Sequence, residues 1–290
     1  MIQTENKELQ NIEIEVLLEA IFRRYGYDFR HYARASLKRR IAQYMQRADI
    51  SRIADLIPPM LHDKAFFDSF LKVMSVTVTD MFRDPDFFEA LRAEVIPVLK
   101  TYPFIKIWHA GCATGEEVYS LAIMLKEEGL YERTQIYATD YNNHSLAMAK
   151  EGIYPMKRIQ QYSDNYLRAG GRKTFADYYH ARYGAAKMLE MLKKNVTFAN
   201  HNLVSDGVFG EMQLVICRNV LIYFDQNLQN RVLTLLHDSL SPRGFLCLGS
   251  KESIKFSAVE NHFEDQVAEQ KIYKRLYNGN NLNGYENARF

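Results

Sequence analysis

The stretch 105–122, IKIWHAGCATGEEVYSLA, restricts the possible fold of this chain more than any other. Its β-forming residues Ile105, Ile107 and Trp108 predict a short buried strand. The turn that follows, HAGCATG, contains two glycines, which allow positive φ and a close approach of a ligand to the backbone. Apolar residues at helical spacing begin after a pair of glutamates. This order predicts a nucleotide-type binding crevice at the carboxyl end of a parallel strand.

The acidic pair Glu116-Glu117 at the predicted helix start limits the ligand that this crevice can take. Carboxylates at a helix amino terminus would repel a pyrophosphate. They suit a ligand with hydroxyls and positive charge but no phosphate, and S-adenosylmethionine (SAM) has these groups. A second interpretation stays open, because a glycine loop alone is weak evidence. In that interpretation the glutamates only complement the helix dipole and the glycines only turn the chain.

Composition excludes several other classes of protein. The 290 residues are 47% hydrophobic, which is enough for one substantial core and a smaller second one. A net charge of +2 gives no overall signature of polyanion binding. The three cysteines are widely spaced without metal-ligand spacing, so we expect reduced thiols and no metal. The polar, acidic start and the lack of a long apolar run predict a cytoplasmic protein without membrane insertion.

The first 75 residues have helical patterns and an uneven charge. One apolar stripe is predicted along the first helix, formed by Ile12, Val16, Leu17, Ala20 and Ile21. Between positions 23 and 52 there are nine Lys and Arg residues but only two acidic residues. This excess predicts either a solvated helix face or a docking surface for an acidic partner. The candidate substrate-binding residues are Arg34, Lys38, Arg39, Arg40 and Arg47.

The segment SVTVTDMFR, at 75–83, is rich in β-branched and hydroxyl residues and predicts an extended linker. Its end, Asp84-Pro85, predicts a helix that Asp84 caps and in which Pro85 occupies the first turn. In an extended chain, alternating residues project to the same side. A plain interdomain linker is one interpretation, and a ligand-facing strand is the other, with Thr77, Thr79 and Arg83 on one side.

Further strands follow the glycine turn. The segment QIYATD predicts a second strand that ends in Asp140, where an acid can accept bonds from both ribose hydroxyls. A buried strand in MQLVICRNVLIYF ends just before Arg218 and Asn219. The residues from 157 to 200 break the alternation of strand and helix and predict an insertion. The strands GFLCLGS and KIYKRL close the predicted sheet.

These segments together resemble one family, the chemotaxis receptor protein-glutamate methyltransferases, or CheR family. The resemblance is carried by SVTVTDMFRD, AGCATGEEVYSLA, ATDYNNHSLAMAKEGIYP, NHNL, CRNVLIYF and LSPRGFLCLGSKESI, and by YGYDFRHYARASLKRRI in the helical part. It implies an α/β fold, the Rossmann-like SAM-dependent methyltransferase fold. A seven-stranded, mostly parallel sheet is expected, with a small N-terminal all-helical domain and a small β-containing insertion.

The domain boundaries expected from this resemblance follow the chain. A basic helical domain for receptor docking covers 1–75, and an interdomain segment at 76–90 closes over the cofactor. The SAM-binding domain covers 91–277, with its insertion at about 157–200, and a flexible tail covers 278–290.

The resemblance also implies roles for individual residues. Glu117 and Asp140 would hold the polar edges of SAM, and Arg83 and Tyr223 would act near the transferring methyl group. The family usually has Asn where this chain has Thr77, so weaker SAM contact is expected there. The cofactor-binding set is Thr77, Thr79, Arg83, Gly111, Glu117, Asp140, Asn202, Leu203, Arg218 and Asn219.

The implied reaction is methyl transfer from SAM to glutamate carboxylates in the cytoplasmic helical domain of methyl-accepting chemoreceptors. Its product would be S-adenosylhomocysteine, and the enzyme would act as a monomer without metal or nucleic acid. One alternative is a methyltransferase that acts on RNA or on another protein, although CRNVLIYF lacks the Asn/Asp-Pro-Pro-aromatic motif of exocyclic amine methylation. The other alternative is a SAM-binding signalling adaptor without activity.

Overall fold

The computed structural model describes residues 2–74 and 79–277 and divides them into two units. A helical unit comprises the described residues up to 74 together with Ile222–Gln229. A sheet-containing unit comprises the described residues from 79 to Leu221 and from Asn230 onward. Within residues 2–74 and 79–277, no helix is both long and apolar enough to cross a membrane.

The predicted N-terminal all-helical domain is confirmed. Its elements are α1 (Ile2–Tyr25), α2 (Arg34–Ala48), α3 (Ile57–His62) and α4 (Lys64–Met74), with a 3₁₀ turn at Ile53–Leu56. A bridge between Tyr32 and Phe224 adds the segment Ile222–Gln229 to this unit. Both side chains are buried, and their rings meet edge to face with centroids 5.1 Å apart.

The buried side of α1 differs from the predicted stripe. Ile12 and Val16 are 53% and 50% exposed, so their prediction as core residues was wrong. The core is contacted by residues at positions i, i+3, i+4 and i+7, which share one side of a helix. These buried residues are Ile14, Leu17, Leu18 and Ile21. Because the helix rotates by about 100° per residue, Ile12 and Val16 lie on the opposite side from them.

The sheet-containing unit has the predicted seven-stranded, mostly parallel sheet, with the strand order β6-β2-β1-β7-β8-β10-β9. Neighbours from β6 to β8 pair in parallel, whereas β10 is antiparallel to both β8 and β9. The strands of this sheet are β1 (Ile105–Ala110), β2 (Thr134–Asp140), β6 (Val196–Asn200), β7 (Met212–Cys217), β8 (Leu240–Leu248), β9 (Phe263–Val267) and β10 (Ile272–Arg275).

A small antiparallel sheet forms the β-containing insertion, in the order β3-β5-β4. Its strands are β3 (Ile153–Pro155), β4 (Tyr179–Arg182) and β5 (Ala185–Met188). The sheet begins before the expected start at 157, and the expected range also includes β6, which belongs to the large sheet. Strands of three to five residues carry too little periodicity to mark such boundaries.

Helices flank the large sheet and enclose the main core. They are α5 (Pro85–Ala90), α6 (Ile96–Leu99), α7 (Glu116–Glu127), α8 (Asn143–Glu151) and α9 (Ile159–Arg168), with a π turn at Leu91–Val95. Helix α10 (Gln226–Asp238) comes later in the chain, and its residues up to Gln229 belong to the helical unit. Residues 116–125 of α7 are all buried, because this helix packs in the core cluster with β1 and β2. Asp84 precedes α5 in a left-handed conformation, and its side chain does not cap the helix, contrary to the prediction.

Replacement of Gly152 by alanine should destabilise the protein more than replacement of Gly129. Both glycines have left-handed φ values, +63° and +70°, so both variants acquire about 1–2 kcal/mol of strain. A Cβ at Gly152 would also lie 2.4 Å from the hydroxyl oxygen of Tyr119, which is buried and donates to the Ala149 carbonyl. Nothing lies within 4 Å of a Cβ at Gly129. We expect Gly152→Ala to lose about 1–3 kcal/mol more, measured by urea unfolding. Equal losses in the two variants would contradict this account.

Candidate functional site

The candidate site lies at one edge of the large sheet, where four neighbouring parallel strands end. The carboxyl ends of β6, β2, β1 and β7 are adjacent because these strands pair in that order. In doubly wound α/β folds, ligands bind in the crevice outside these strand ends. The structure brings several predicted residues to this edge: Gly111, Asp140, Asn202, Leu203, Arg218 and Asn219.

The glycine turn after β1 is held by the end of β2. The amides of Gly111 and Cys112 both donate to the Thr139 carbonyl at 2.8 Å. Gly111 has a φ of +75°, and a Cβ there would lie 2.5 Å from Cγ2 of Val220. The glycine is therefore required for contact between this turn and the loop after β7.

Asp140 fixes the same turn through its carboxylate. Its Oδ2 accepts the amide of Ala113 and its Oδ1 accepts the amide of Asn142, both at 2.9 Å. Asp140 is only 9% exposed, and this burial raises the pKa of its carboxyl group. Each carboxylate oxygen can accept more than one hydrogen bond. Asp140 can therefore hold the turn and still accept bonds from hydroxyls of a ligand.

Glu117, in the first turn of α7, is a buried and ionised carboxylate. Its Oε2 accepts from Nη1 of Arg218 at 2.6 Å, and its Oε1 lies 3.1 Å from Nε2 of His109. Burial acts to raise the pKa of Glu117, but the Arg218 charge and the His109 contact outweigh it and hold that pKa at about 2. Glu117 therefore carries a full negative charge at neutral pH.

Arg218 joins Glu117 to the residues that precede α5. Its Nη2 donates to Oδ2 of Asp84 at 2.6 Å, and its Nη1 reaches the Arg83 carbonyl at 3.4 Å. Its side chain is 2% exposed, and its guanidinium lies 4.0 Å from the ring centroid of Phe87. This single side chain connects the loop after β7, the start of α7 and residues 83–84.

Glu116 differs from its neighbour in charge state, although the sequence presents the two as a pair. Oε2 of Glu116 accepts the Thr114 hydroxyl at 2.6 Å, and Nη1 of Arg158 lies 3.4 Å from Oε1. Burial raises the pKa of Glu116 to about 7, and the Thr114 bond and the Arg158 charge only partly oppose that rise. The first glutamate thus titrates near neutral pH while the second stays ionised.

Residues 79–84, here called the strap, carry two of the predicted cofactor residues, Thr79 and Arg83. Nη2 of Arg158 donates to the Thr79 carbonyl at 2.5 Å and to Oδ1 of Asp80 at 2.6 Å. Among the described residues, the Arg83 guanidinium has no hydrogen-bond or ion-pair partner, while its charge helps to lower the pKa of Glu117. Thr77 lies outside the described residues.

Glu252 organises the loop after β7, and the sequence analysis missed it. Its carboxylate accepts the amides of Asn219, Val220 and Leu221 at 2.9, 2.8 and 2.7 Å, and that of Gly249 at 2.6 Å. Asn219 has a φ of +60°, and this row of bonds fixes that left-handed conformation. Glu252 lies in a short polar loop without periodicity, so its sequence gave no signal. Arg158, at the end of a 3₁₀ turn before α9, was also missed, because its partners Thr79 and Asp80 lie 79 and 78 positions away in the sequence.

Asn202 and Leu203 follow β6 in a tight turn. The side-chain oxygen of Asn202 accepts the Val204 amide at 3.0 Å, and the Asn202 amide donates to Oδ2 of Asp206 at 2.9 Å. Leu203 is 7% exposed. Asn202 thus shapes the turn through its own backbone and side chain and presents Leu203 as an apolar wall.

The three cysteines offer no thiolate to this edge. Cys112, Cys217 and Cys247 are free and buried, and burial raises the pKa of each thiol. A thiol, unlike a thiolate, is a poor nucleophile. The chemistry of the candidate site therefore does not depend on a cysteine.

Tyr223 and the basic residues of α2 belong to the helical unit. The Tyr223 carbonyl accepts the Ala33 amide at 2.8 Å, and the Arg40 guanidinium lies 4.6 Å from the Tyr223 ring centroid. Arg40 is 4% exposed and donates to the Met74 carbonyl, so its prediction as part of a docking surface was wrong. A carbonyl and an aromatic face inside the unit compensate for removing its charge from water.

Ion pairs also reduce the predicted basic excess. Arg34 pairs with Glu15 at 2.7 Å, and Arg30 pairs with both Glu19 and Asp28. Lys38 is half-buried, whereas Arg39 and Arg47 are exposed. Among the described residues these three form no ion pair, so the remaining positive surface of α2 consists of Lys38, Arg39 and Arg47.

Comparison with known families agrees with this architecture over nearly all of the chain. The model described as "CheR methyltransferase, all-alpha domain" matches residues 12–75, and "CheR methyltransferase, SAM binding domain" matches residues 77–272. The chain belongs to the CheR methyltransferase family. It is a CheR-type, SAM-dependent methyltransferase with the helical and sheet-containing parts expected from the sequence.

Individual relatives extend the match. A Pseudomonas putida protein named "Putative methyltransferase Cher3" is 55% identical over 265 residues, which cover 91% of this chain and 97% of that protein. The "Chemotaxis protein methyltransferase" of Listeria innocua is 27% identical, with 79% and 85% covered. An "Uncharacterized 104.1 kDa protein in hypE 3'region" from Rhodobacter capsulatus is 30% identical over 87% of this chain but only 26% of that protein.

Replacement of Glu116 by glutamine should change how stability depends on pH. The folded pKa of about 7 lies above the ordinary 4.5, so the contribution of Glu116 to stability is complete below pH 4.5 and is lost as pH rises through 7. Between pH 6 and pH 8, wild type should lose about 1 kcal/mol relative to Glu116→Gln. Urea unfolding of both proteins at the two pH values measures the difference. Parallel stability profiles would mean that Glu116 does not titrate in this range.

Proposed function

We propose that this CheR-family enzyme methylates glutamate side-chain carboxylates of methyl-accepting chemoreceptors, with S-adenosylhomocysteine as the second product. The observation that carries the proposal is the family match across both the all-alpha and the SAM-binding regions. Relatives named as chemotaxis protein methyltransferases, such as that of Listeria innocua, support the substrate class. Arg83 in the strap, which has no hydrogen-bond or ion-pair partner among residues 2–74 and 79–277, supports a substrate with a carboxylate.

The donor groups at the sheet edge fit SAM. SAM supplies a methyl group on a positively charged sulfur, together with an ammonium group and ribose hydroxyls. Glu117, ionised by its contact with Arg218, would bind the positive end. Asp140 would accept bonds from hydroxyls, with Asn202, Leu203 and Asn219 around the remaining groups. The backbone anchors of Asp140 hold its carboxylate in place before the ligand arrives.

A glutamate substrate requires no general base. With a pKa near 4.3, a glutamate side chain is already ionised at neutral pH. One carboxylate oxygen forms a bond to the methyl carbon while the bond from that carbon to sulfur breaks and leaves its electron pair on sulfur. The protein has only to align the oxygen, the carbon and the sulfur, and alignment can lower the barrier by as much as about 7–11 kcal/mol.

Arg83 would orient the incoming carboxylate, and Tyr223 is proposed as a second catalytic residue. Arg83 lies in the strap beside Glu117, where its charge already acts on that carboxylate. Pairing the nucleophile too tightly would lower its reactivity, so we assign orientation to Arg83 instead of strong ion pairing. Its planar fork of N–H groups suits this task better than a lysine ammonium.

The docking surface for the receptor would be Lys38, Arg39 and Arg47 on α2, next to the paired Arg34. A receptor helix that carries several methylatable glutamates is acidic. Opposite charge would speed the encounter and fix the register between the two helices. Screening within roughly 8–10 Å makes such an attraction sensitive to salt.

The purified enzyme with labelled SAM and a receptor cytoplasmic fragment should form methyl esters, which release labelled methanol in mild base. A fragment with glutamine at the acceptor positions should remain unlabelled.

Arg83→Lys and Tyr223→Phe should lower turnover about tenfold or more and change SAM affinity less. Arg168→Lys, on an exposed part of α9, serves as the control. Label in RNA, or SAM binding without any transfer, would instead favour one of the alternative functions.

Reversal of charge on α2 should weaken receptor use without affecting SAM. The double variant Lys38→Glu/Arg39→Glu should raise KM for the receptor fragment several-fold and flatten its salt dependence, because like charges then face each other. The variant Lys7→Glu/Lys72→Glu makes the same change in net charge on exposed residues of α1 and α4. If both double variants behave alike, only net charge matters, and the α2 docking assignment is wrong.

A further inference from the structure

The strap is bound to the sheet-containing unit along its whole length. Arg158 holds the Thr79 carbonyl and the Asp80 carboxylate at its start, and Arg218 holds the Arg83 carbonyl and the Asp84 carboxylate at its end. Between them, Nδ2 of Asn165 donates to the Met81 carbonyl at 3.0 Å, and the Phe82 amide donates to the Ser120 hydroxyl at 2.7 Å. Both ends of the strap are therefore held by arginines.

Each of these arginines contacts one of the two adjacent glutamates that begin α7. Arg158 approaches Glu116 at 3.4 Å, and Arg218 binds Glu117 at 2.6 Å. Consecutive residues of a helix point about 100° apart, so the pair can serve two separate arginines. Glu116 therefore pairs with the arginine at the start of the strap, as Glu117 pairs with the arginine at its end.

The insertion supplies the contacts at the start and the middle of the strap. Arg158 directly precedes α9, and Asn165 follows it by seven positions, which is about two turns of helix. Both side chains reach carbonyls of the strap, and the Arg158 guanidinium lies 5.3 Å from the Tyr162 ring centroid on the same helix. One side of α9 is therefore a polar row that follows the strap.

We propose that Arg158 is a positioning residue, which holds the start of the strap against Glu116 so that Thr79 and Arg83 are kept in the conformation that binds SAM. The roles of Thr79 and Arg83 rest on the function proposed above, whereas the contacts of Arg158 do not. A guanidinium presents several N–H groups in a fixed plane, so it can bind a carbonyl and two carboxylates together. A lysine ammonium cannot satisfy the same three acceptors in this geometry.

The effect of Arg158 should be local to the strap. Its side chain is 31% exposed and that of Asp80 is 35% exposed. An ion pair that is this accessible to water contributes little to global stability. The second partner, Glu116, is 2% exposed, but its pKa of about 7 lets it take up a proton when Arg158 is lost. Loss of Arg158 should therefore release the strap without unfolding the unit, and this separates a positioning role from a purely structural one.

The test compares three variants of the full-length protein. Arg158→Gln removes the guanidinium, and Arg158→Lys keeps the charge. Arg168→Gln is the matched control at the end of α9, because the Arg168 side chain is 66% exposed and its ion pair with Asp86 is long at 3.9 Å. Amide hydrogen exchange across residues 79–84 is measured without SAM, SAM affinity is measured by calorimetry, and thermal unfolding is recorded. None of these measurements requires a receptor substrate.

We expect Arg158→Gln to speed exchange in the strap, including the Phe82 amide, by about tenfold and to weaken SAM binding by about tenfold. Thermal unfolding should change little, Arg158→Lys should lie between wild type and Arg158→Gln, and Arg168→Gln should match wild type. Unchanged exchange in the strap would overturn the proposal. Faster exchange with unchanged SAM affinity would also overturn it, because the strap would then move without consequence for binding. Failure of wild type to bind SAM would count against the proposed function itself.

Discussion

A buried ion pair between Glu117 and Arg218 sets the relative positions of three separate segments of the sheet-containing unit. Arg218 follows β7, Glu117 begins α7, and Asp84, the second carboxylate bound to Arg218, ends the strap. The side chains of Arg218 and Glu117 are 2% and 7% exposed, so neither can exchange its partner for water. Removal of one partner from such a pair leaves an uncompensated buried charge, which costs about 3–5 kcal/mol. These segments therefore hold one arrangement or lose a large share of stability.

Two further carboxylates act on the backbone and make the loops at this edge rigid. Asp140 binds the amides of Ala113 and Asn142, and Glu252 binds a run of amides after β7. Hydrogen bonds from a charged acceptor are stronger than those between neutral groups. Loops that would otherwise adapt to a ligand are thus fixed before it binds, and less conformational entropy is lost on binding. Asp140, which we propose accepts bonds from SAM hydroxyls, thus also fixes the glycine turn beside it.

The sequence predicted those parts of the fold and site whose causes are local. The buried strand, glycine turn and helix around 105–122 follow from residue type and spacing, and the strand pattern also predicted that Asp140 ends β2. Arg40 was assigned wrongly and Arg158 was missed, because only the folded chain brings them to their partners. The Arg40 partner lies 34 positions away, and those of Arg158 lie 79 and 78 positions away. The same limit applies to Ile12, because the sequence alone does not show which side of α1 packs against its neighbours.

The helical unit is completed by residues that the ribosome adds long after its helices. The Asp225 amide binds the His31 carbonyl, and Phe224 packs on Tyr32, so both contacts close across the entire sequence of the first seven strands. At a synthesis rate of about 5–20 residues per second, the α1 and α2 region waits on the order of ten seconds or longer for these partners. During that interval the Tyr32 ring lacks the cover that it has in the finished protein. A nascent chain interrupted before residue 222 therefore keeps an incomplete helical unit, however well its own helices form.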